Sequence, residues 1–405
     1  MEINHVTLSV RSQELRSKGS FIVSPEGNMS PKTRHSTIWG KIDYSLIPYP
    51  FIANKNVVIP TNNSTLNEDG TPNDVSGFYK FSRSNFNVFA ESLAMRVASL
   101  FDTKTCYNCP AKLNKDEDSI NKALKDTVEL NHIGTMVVSF LGKDEYLHTF
   151  ANIGHDCSPN SDVQKNSNYI KEFVCLKNKD ATAEEKTEIY TRLQKEYAYQ
   201  YLFRDFFGDV DFTSRNSGLV HNMATNEITV APQFDFGEVL NVLLAYKFSE
   251  PKFDSLENYP EHIRPFMKQE TIDATNARRL EKYNATPTEL GRIYTYGEED
   301  CLFNIKYITK TMPDVTYSFL QDLNNFNNYG YMPVLIQECS NESSLITDEQ
   351  VHMTQEFLQS RMDFYSEQLK VALQNYAPDF LAENGISLEN LSSENFAENQ
   401  ESMEQ

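Results

Sequence analysis

The chain is poor in cysteine, and its few cysteines are irregularly spaced. Six of them are spread over 405 residues. That number and spacing exclude a dense disulfide framework of the kind that small secreted domains use. The one tight pair is Cys106-Tyr-Asn-Cys109, for which His155 and Cys157 are the nearby candidates in a zinc site. Without a second such pair we expect reduced thiols, and a zinc site is the alternative.

Basic residues are also scarce, and long apolar runs are absent. The 57 acidic residues outnumber the 37 basic ones and give a formal net charge of −20. This charge disfavours binding to nucleic acid through its phosphates, so we expect no direct nucleic-acid binding. No apolar run approaches the roughly 20 residues of a membrane helix, so we expect no membrane span. The first residues lack the basic and apolar regions of a signal peptide, which predicts a cytoplasmic protein.

The rest of the composition is that of a globular protein with an acidic tail. Hydrophobic residues make up 40% and aromatic residues 12% of the chain, enough for a large core. Residues 381–405 are rich in Glu, Asn, Ser and Gln and predict a solvated, disordered tail. A docking segment for a basic partner is the other interpretation of that tail.

Hydrophobic patterning predicts a strand-rich first third. Short alternating runs separated by turn residues predict strands before residue 60, and residues 77–81 and 134–141 predict two more. Residues 61–76 are turn-rich and predict a surface loop.

The remainder of the chain is helix-rich. Apolar residues at helical spacing predict helices over residues 85–100, 183–207 and 350–376. The change of pattern near residues 141–145 predicts an α+β protein of two lobes with a boundary there.

Three polar residues between Gly208 and Gly237 have the types and order of a phosphotransferase site. Asp211 lies in a polar loop, Asn216 follows five positions later, and Asp235 follows an apolar strand segment. Phosphoryl transfer requires a carboxylate that orients a hydroxyl, and an amide and a carboxylate that hold Mg²⁺ against ATP. A lone Asp in such a loop is more often a turn or cap residue, so the prediction depends on the three occurring together.

Two residues upstream complete the set. Lys80 lies among aromatic residues on a predicted strand, and Glu91 lies on the predicted helix that follows. The lysine is suited to contact ATP phosphates, and the glutamate is suited to hold the lysine. A competing motif is Asp209-Val-Asp211, the Asp-x-Asp pattern of many glycosyltransferases, which leaves the lysine and the downstream residues without a role.

At these positions the sequence resembles the HipA-like serine/threonine kinases. The catalytic segment of that family runs Gly-x-x-Asp-x-His-x-x-Asn and precedes a strand ending Pro-x-Tyr-Asp. Residues 208–216 (Gly-Asp-Val-Asp-Phe-Thr-Ser-Arg-Asn) and 231–235 (Ala-Pro-Gln-Phe-Asp) fit that layout. The resemblance implies that Asp211 is the catalytic base and that Asn216 and Asp235 are the metal ligands.

The resemblance extends upstream to the nucleotide site. The strand around Lys80 is similar to the family's nucleotide-binding strand, with Glu91 on the helix after it. Residues 136–141 are similar to the segment that links the lobes, which implies adenine binding near Val138 and Phe140.

An N-terminal segment resembles the family's phosphate loop, Gly-Ala-Gln-Pro-Lys. It reads Gly-Asn-Met-Ser-Pro-Lys over residues 27–32, which implies that Gly27 and Lys32 bind ATP phosphates. Ser24 lies where family members carry an autophosphorylated serine, so Ser24 and the nearby Ser30 are the predicted autophosphorylation sites.

The sequence also departs from the family pattern. The phosphate loop has one extra residue and a single glycine, and Thr213 or Phe212 stands where the family has His. Residues 37–73 are interpreted as an insertion.

The resemblance implies a two-lobed protein-kinase-like fold, with a strand-rich N-lobe over residues 1–142 and a mostly helical C-lobe over residues 143–380. It implies an ATP- and Mg²⁺-dependent serine/threonine kinase acting on a protein substrate. Members of the family are toxins, whose partners include an antitoxin or regulator, or effectors exported without a signal peptide. Two alternatives remain open on the same residues: a small-molecule or lipid kinase, and a pseudokinase that serves as a binding module.

Overall fold

The computed structural model describes residues 5–6, 37–60, 66–68, 70, 72–80, 84–113, 134–154, 162–237, 239–240, 243, 284–295, 298–341 and 346–391. The strands are β1 (His5–Val6), β2 (Thr37–Asp43), β3 (Val57–Val58), β4 (Asp74–Lys80), β5 (Thr105–Cys106), β6 (Asn108–Leu113), β7 (Gly134–Val138), β8 (Glu145–Thr149), β9 (Gly218–Asn222) and β10 (Ile228–Val230). The helices are α1 (Tyr49–Ile52), α2 (Asn85–Ala98), α3 (Phe150–Gly154), α4 (Val163–Lys177), α5 (Ala183–Phe206), α6 (Pro287–Gly291), α7 (Glu298–Thr311), α8 (Pro313–Asn328), α9 (Tyr331–Asn341), α10 (Asp348–Tyr376) and α11 (Pro378–Glu383). The chain therefore mixes helices and strands, as its patterning predicts.

A five-stranded sheet forms the first part of the described chain, in the order β1-β6-β7-β4-β2. The central strand β7 pairs antiparallel with β4 on one side and β6 on the other. All five residues of β7 are buried, which explains why they are continuously apolar or small instead of alternating. Helix α2 packs against β6 and β7 and covers one face of the sheet.

The start of the expected insertion is part of this sheet. Strand β2 pairs with β4 along its whole length, from Thr37 opposite Lys80 to Asp43 opposite Asp74. It thereby covers an edge of β4 that would otherwise expose unpaired backbone groups. The first seven residues of the expected insertion over 37–73 are therefore a strand of the sheet, and the predicted loop over 61–76 ends where β4 begins.

The chain leaves the first sheet after β7 and enters a second, antiparallel sheet at β8. This sheet has the order β10-β9-β8, with Thr149 of β8 opposite Gly218 of β9. A third sheet of two short parallel strands joins β3 to β5. Strand β9 begins two residues after Asn216, so the second sheet fixes one end of the polar loop.

Helices α5 and α10 organise the remainder of the chain. Each begins with a capping box, formed by Thr182 with Glu185 in α5 and by Thr347 with Gln350 in α10. Helix α10 packs against α6, α7, α8 and α9, while the last ten residues of α5 are all buried. Both helices confirm the predictions from hydrophobic periodicity.

The beginning of the expected disordered tail is ordered. Residues 381–391 contain the end of α11 and a short 3₁₀ helix, Leu388–Leu391, in which Leu388 is buried in the main core. Residues 392–405 lie outside the described residues. Within the described part of the chain, no helix combines the length and apolar character needed to cross a membrane.

We expect Gly218→Ala to destabilise the protein, because β9 approaches β8 too closely for a side chain. A Cβ atom at Gly218 would lie 2.2 Å from the His148 carbonyl oxygen and 2.7 Å from the Thr149 Cα. Both are backbone atoms, so the strands must separate, at a cost of about 1–3 kcal/mol. The midpoint of thermal unfolding should fall. The control is Gly330→Asn, at a position with open space and a left-handed backbone that Asn tolerates; an equal effect in both variants would contradict the prediction.

Candidate active site

The polar loop that contains Asp211 follows from the way in which α5 ends. Gly208 has a left-handed backbone with φ 72°, which glycine adopts without strain. Its amide donates to the Asp205 carbonyl at 3.1 Å, and the Asp209 amide donates to the Arg204 carbonyl at 3.0 Å. This pair of hydrogen bonds is a Schellman motif. The chain therefore turns back over the last turn of α5 and places Asp209 beside Arg204.

Asp211 and Asn216 are bonded to each other in this loop, which lies between α5 and β9. The Asn216 side-chain amide donates to the backbone carbonyl of Asp211 at 2.8 Å and to its Oδ2 at 3.0 Å. Thr213 supports the loop, since its carbonyl accepts from the Asn216 amide at 2.9 Å and its hydroxyl accepts from the Arg215 amide at 3.3 Å. The side-chain oxygen of Asn216 accepts no hydrogen bond from any described residue, so it is available to a ligand.

Lys80 joins two acids that are far apart in the sequence. Its Nζ lies 3.3 Å from Glu91 Oε1 and 2.5 Å from Asp235 Oδ1. Glu91 is 1% exposed, whereas the Asp235 side chain is 42% exposed. The predicted lysine, glutamate and downstream aspartate are therefore brought together, with the aspartate on the accessible side.

Helix α2 holds this group through two of its residues. Glu91 Oε2 accepts a hydrogen bond from the Thr135 hydroxyl of β7 at 3.0 Å, which fixes the carboxylate on the sheet. One turn earlier, the Asn87 side chain donates to the Gly237 carbonyl at 3.0 Å. The helix begins at the Ser84 cap, whose hydroxyl accepts from the Asn87 amide at 3.2 Å. The same helix therefore binds the lysine and the chain just after Asp235.

The backbone around Asp235 is shaped for this contact. Asp235 has φ 56°, a left-handed conformation that Asp tolerates better than most residues. Two residues later, a Cβ atom at Gly237 would lie 2.3 Å from Lys80 Nζ. Glycine at this position therefore leaves room for the ammonium group.

The charges in this group shift each other's pKa values. Burial opposes the charge on Lys80, but the carboxylates of Asp235 and Glu91 outweigh burial and raise the pKa of Lys80. Burial would raise the pKa of Asp235, but Lys80, Arg204 and the Gly237 amide outweigh it and lower the pKa below its ordinary value. Both groups are therefore charged at neutral pH.

Arg204, which the sequence interpretation missed, connects two acidic loops: the loop between α5 and β9 that contains Asp211, and the loop after β10 that contains Asp235. Its guanidinium is fully buried and forms an ion pair with Asp209. It also donates to the Phe234 carbonyl, and to the Asp235 carbonyl at 3.3 Å. The other carboxylate oxygen of Asp209, Oδ1, accepts a hydrogen bond from the Asp211 amide at 3.0 Å. The sequence shows this arginine as one charge near the end of an amphipathic helix, with nothing to mark it.

The same contacts bear on the Asp-x-Asp motif. Asp209 is fully buried, and both of its carboxylate oxygens are occupied, by Arg204 and by the Asp211 amide. A metal ligand of the glycosyltransferase type needs oxygens that can reach a cation. In this structure Asp209 is an internal ion-pair partner, which disfavours the glycosyltransferase interpretation of the Asp-x-Asp motif.

An apolar cluster separate from the main core lies beside Asp235 and contains residues of both large sheets. Its buried members are Cys106, Val137, Phe140, Leu141, Leu147, Val220, Ala231 and Phe234. The rings of Phe140 and Phe234 are 5.4 Å apart. Val138, near which the resemblance implies adenine binding, has its side chain in the main core and its amide bonded to the Tyr107 carbonyl at 2.9 Å.

The tight cysteine pair spans two sheets, with Cys106 in β5 of the third sheet and Cys109 in β6 of the first. Cys106 and Cys109 are both buried and free of disulfides. Burial, helped by Glu91, raises the pKa of Cys106 to about 12, so this thiol is protonated at neutral pH. His155 and Cys157 lie outside the described residues, as do Gly27, Lys32, Ser24 and Ser30 of the predicted phosphate loop.

The oxygen donors of the site fit a hard cation such as Mg²⁺. Within the described ranges, no group of three or more His, Cys, Asp or Glu residues could hold a metal by itself. Mg²⁺ commonly uses one or two protein ligands together with substrate phosphates and waters. The Asn216 side-chain oxygen and the exposed Asp235 carboxylate are suited to that mode of binding.

We expect the Lys80 ion pair to be visible in the titration of Asp235. Its carboxyl should titrate below the ordinary value of about 4, and Lys80→Met should raise this pKa because the neighbouring cation is removed. Since the pKa is lower in the folded than in the unfolded protein, the pair stabilises the fold above pH ~4. This contribution is lost as the pH falls through the folded-state pKa.

The measurement is carboxyl ¹³C NMR, with Asp235→Asn to assign the signal. Glu185 is the internal control, because bonds from Thr182 lower its pKa at a different place in the fold. An Asp235 titration unchanged by Lys80→Met would contradict the ion pair.

Comparison with known proteins finds similarity only among solved structures. No protein-family model matches the chain, and no curated protein matches it. Among solved structures, the chain is similar to the crystal structure of a Helicobacter pylori proinflammatory kinase, CtkA, with 13% sequence identity and a TM-score of 0.40. The match covers 77% of this chain and 98% of that chain. The function must therefore be argued from the residues of the site itself.

Proposed function

We propose that the chain is a kinase that transfers the γ-phosphoryl group of ATP, with Mg²⁺, to a serine or threonine hydroxyl of a protein. The contact of Lys80 with Glu91 at 3.3 Å and with Asp235 at 2.5 Å carries the proposal. A phosphate-binding lysine, the glutamate that orients it and a metal-binding aspartate are parts that kinases bring together. The bonded pair of Asp211 and Asn216 supplies the remaining two parts.

Each residue has a role in the proposed reaction. The acceptor hydroxyl oxygen forms a bond to the γ-phosphorus, the bond from that phosphorus to the bridging oxygen breaks, and ADP leaves. Asp211 orients the hydroxyl and takes its proton. Lys80, held by Glu91, neutralises phosphate charge, while Asn216 and Asp235 offer oxygens to the metal. Mg²⁺, when bound, would neutralise the charge on the β and γ phosphates.

The proposed fold is a two-lobed kinase-like one, with the N-lobe over residues 1–142 and the C-lobe over residues 143–380. The connection between β7 and β8 would then link the lobes, and Asp235 would face the cleft between them. The apolar cluster around Phe140 and Phe234 supports an adenine site there, since it joins strands of both sheets beside Asp235.

The choice of a protein acceptor rests on the motif resemblance to the HipA-like kinases. The resemblance implies one of two biological roles. The protein is either a toxin in the cytoplasm, with an antitoxin or regulator as partner, or an exported effector. The nucleotide half of the site is the same in both.

We expect Asp211→Asn, Asp235→Asn and Lys80→Met each to lower phosphoryl transfer about 100-fold or more, because each removes a group that the reaction needs. Asn at position 235 keeps a residue that tolerates the left-handed backbone, so the fold is retained. The measurement is transfer of label from radioactive ATP with Mg²⁺ to the chain itself and to Ser/Thr peptides.

The matched control is Asp180→Asn, an exposed acid in the turn between α4 and α5, which should leave the rate unchanged. Equal labelling by wild type and the site variants would overturn the proposal. Binding of Mg-ATP without transfer would make the chain a binding module, and transfer to small alcohols or lipids alone would make it a small-molecule kinase.

We also expect autophosphorylation at Ser24 or Ser30. Peptide mapping by mass spectrometry after incubation with Mg-ATP should find phosphate within residues 20–35 of the wild type and none in Asp211→Asn. An active enzyme without phosphate in this segment would exclude the two serines while leaving the kinase assignment in place.

A further inference from the structure

Arg204 is placed to control the geometry of both acidic loops at once. It is fully buried, and its guanidinium offers five N–H donors in a rigid fork. One side of the fork binds the Asp209 carboxylate, and the fork also binds the carbonyls of Phe234 and Asp235. These partners come from the two loops that carry the proposed base and the proposed metal ligand.

The guanidinium of Arg204 also lies over two aromatic rings. Its central carbon lies 4.0 Å from the ring centroid of Phe236 and 5.1 Å from that of Phe212. Each ring belongs to the residue that directly follows one of the two acids, Asp235 and Asp211. The arginine therefore contacts both loops by cation–π interactions and by hydrogen bonds.

A continuous path of bonds runs from one acid to the other. The Asp235 carbonyl accepts from Arg204, Arg204 pairs with Asp209, and Asp209 Oδ1 accepts from the Asp211 amide at 3.0 Å. The Schellman motif at Gly208 makes the pairing of Arg204 with Asp209 possible, because it turns the chain back over Arg204. The ion pair at the centre of this path is buried and the contacts on either side of it are partly buried, so one guanidinium spans the separation of the two loops.

Stability alone does not account for this arrangement. A buried ion pair loses its hydration, and apolar replacements of similar volume are often as stable or more so. The pair also leaves Arg204 Nε without a hydrogen-bond partner among the described residues. A buried donor without a partner is unfavourable, so the arrangement is not the one that maximises stability.

We propose that Arg204 and Asp209 are positioning residues that set the distance between Asp211 and Asp235, and thereby between the acceptor hydroxyl and the metal-bound phosphate. This inference rests on the proposed function. Neither residue touches substrate. A lysine at position 204 can replace the arginine only in part, because an ammonium group keeps the charge but is a single point of contact without the planar fork.

The test uses the full chain and three variants. Arg204→Met/Asp209→Asn removes both charges and keeps both volumes, Arg204→Lys keeps the charge without the fork, and Leu369→Ala is a control that loses stability in α10, away from the loops. We expect the double variant to lower kcat about 100-fold and to raise the Mg²⁺ concentration that gives half the maximal rate, because small displacements of reacting groups have effects of this size. Arg204→Lys should recover part of kcat, and Leu369→Ala should stay within about threefold of wild type.

Amide hydrogen exchange without nucleotide gives a readout that does not depend on activity. In the double variant, the amides of residues 209–217 and 234–237 should lose protection together, and those of β7 should not. A wild type without any Mg-ATP turnover would end the proposed function, while the exchange result still decides the role of Arg204. Unchanged protection, loss in one segment alone, or an active double variant within threefold of wild type would overturn the inference.

Discussion

The arrangement of the site depends on the ion pairs that the Lys80 ammonium group forms with Glu91 and Asp235. Glu91 is almost completely buried, and a buried carboxylate without a cation is destabilising by several kcal/mol. Lys80 supplies that cation from β4, and its other contact is Asp235, 155 residues further along the chain. The first sheet, its covering helix and the loop after β10 are therefore held together by one charge that all three need.

Much of the framework could be predicted from the sequence, because its long helices and apolar strands have clear periodicity. Helix α2 ends within two residues of its prediction, and α5 within one. The sequence groups Lys80, Glu91, Asp211, Asn216 and Asp235 by type and order, and the structure brings the lysine to two of these acids and bonds Asn216 to Asp211. What the sequence cannot show is that the lysine contacts both acids directly.

The parts that escaped prediction depend on contacts between distant segments. Strand β2 reads as an insertion because its only strong reason to be a strand is the free edge of β4. Arg204 and Asp209 read as two ordinary charges, since their pairing arises from the turn at Gly208 and the burial of the end of α5.

Helix α2 couples Lys80 to the loop after Asp235, because it contacts both. Asn87 and Glu91 are four residues apart and so lie on one side of the helix, separated by about 6 Å along its axis. Asn87 binds the Gly237 carbonyl, and Glu91 binds the lysine. Because both side chains lie on one side of the helix, a rotation of α2 about its own axis would displace both contacts together. Twelve of the fourteen residues of α2 are buried, so the lysine and the loop after Asp235 are held by a helix that is itself packed into the core.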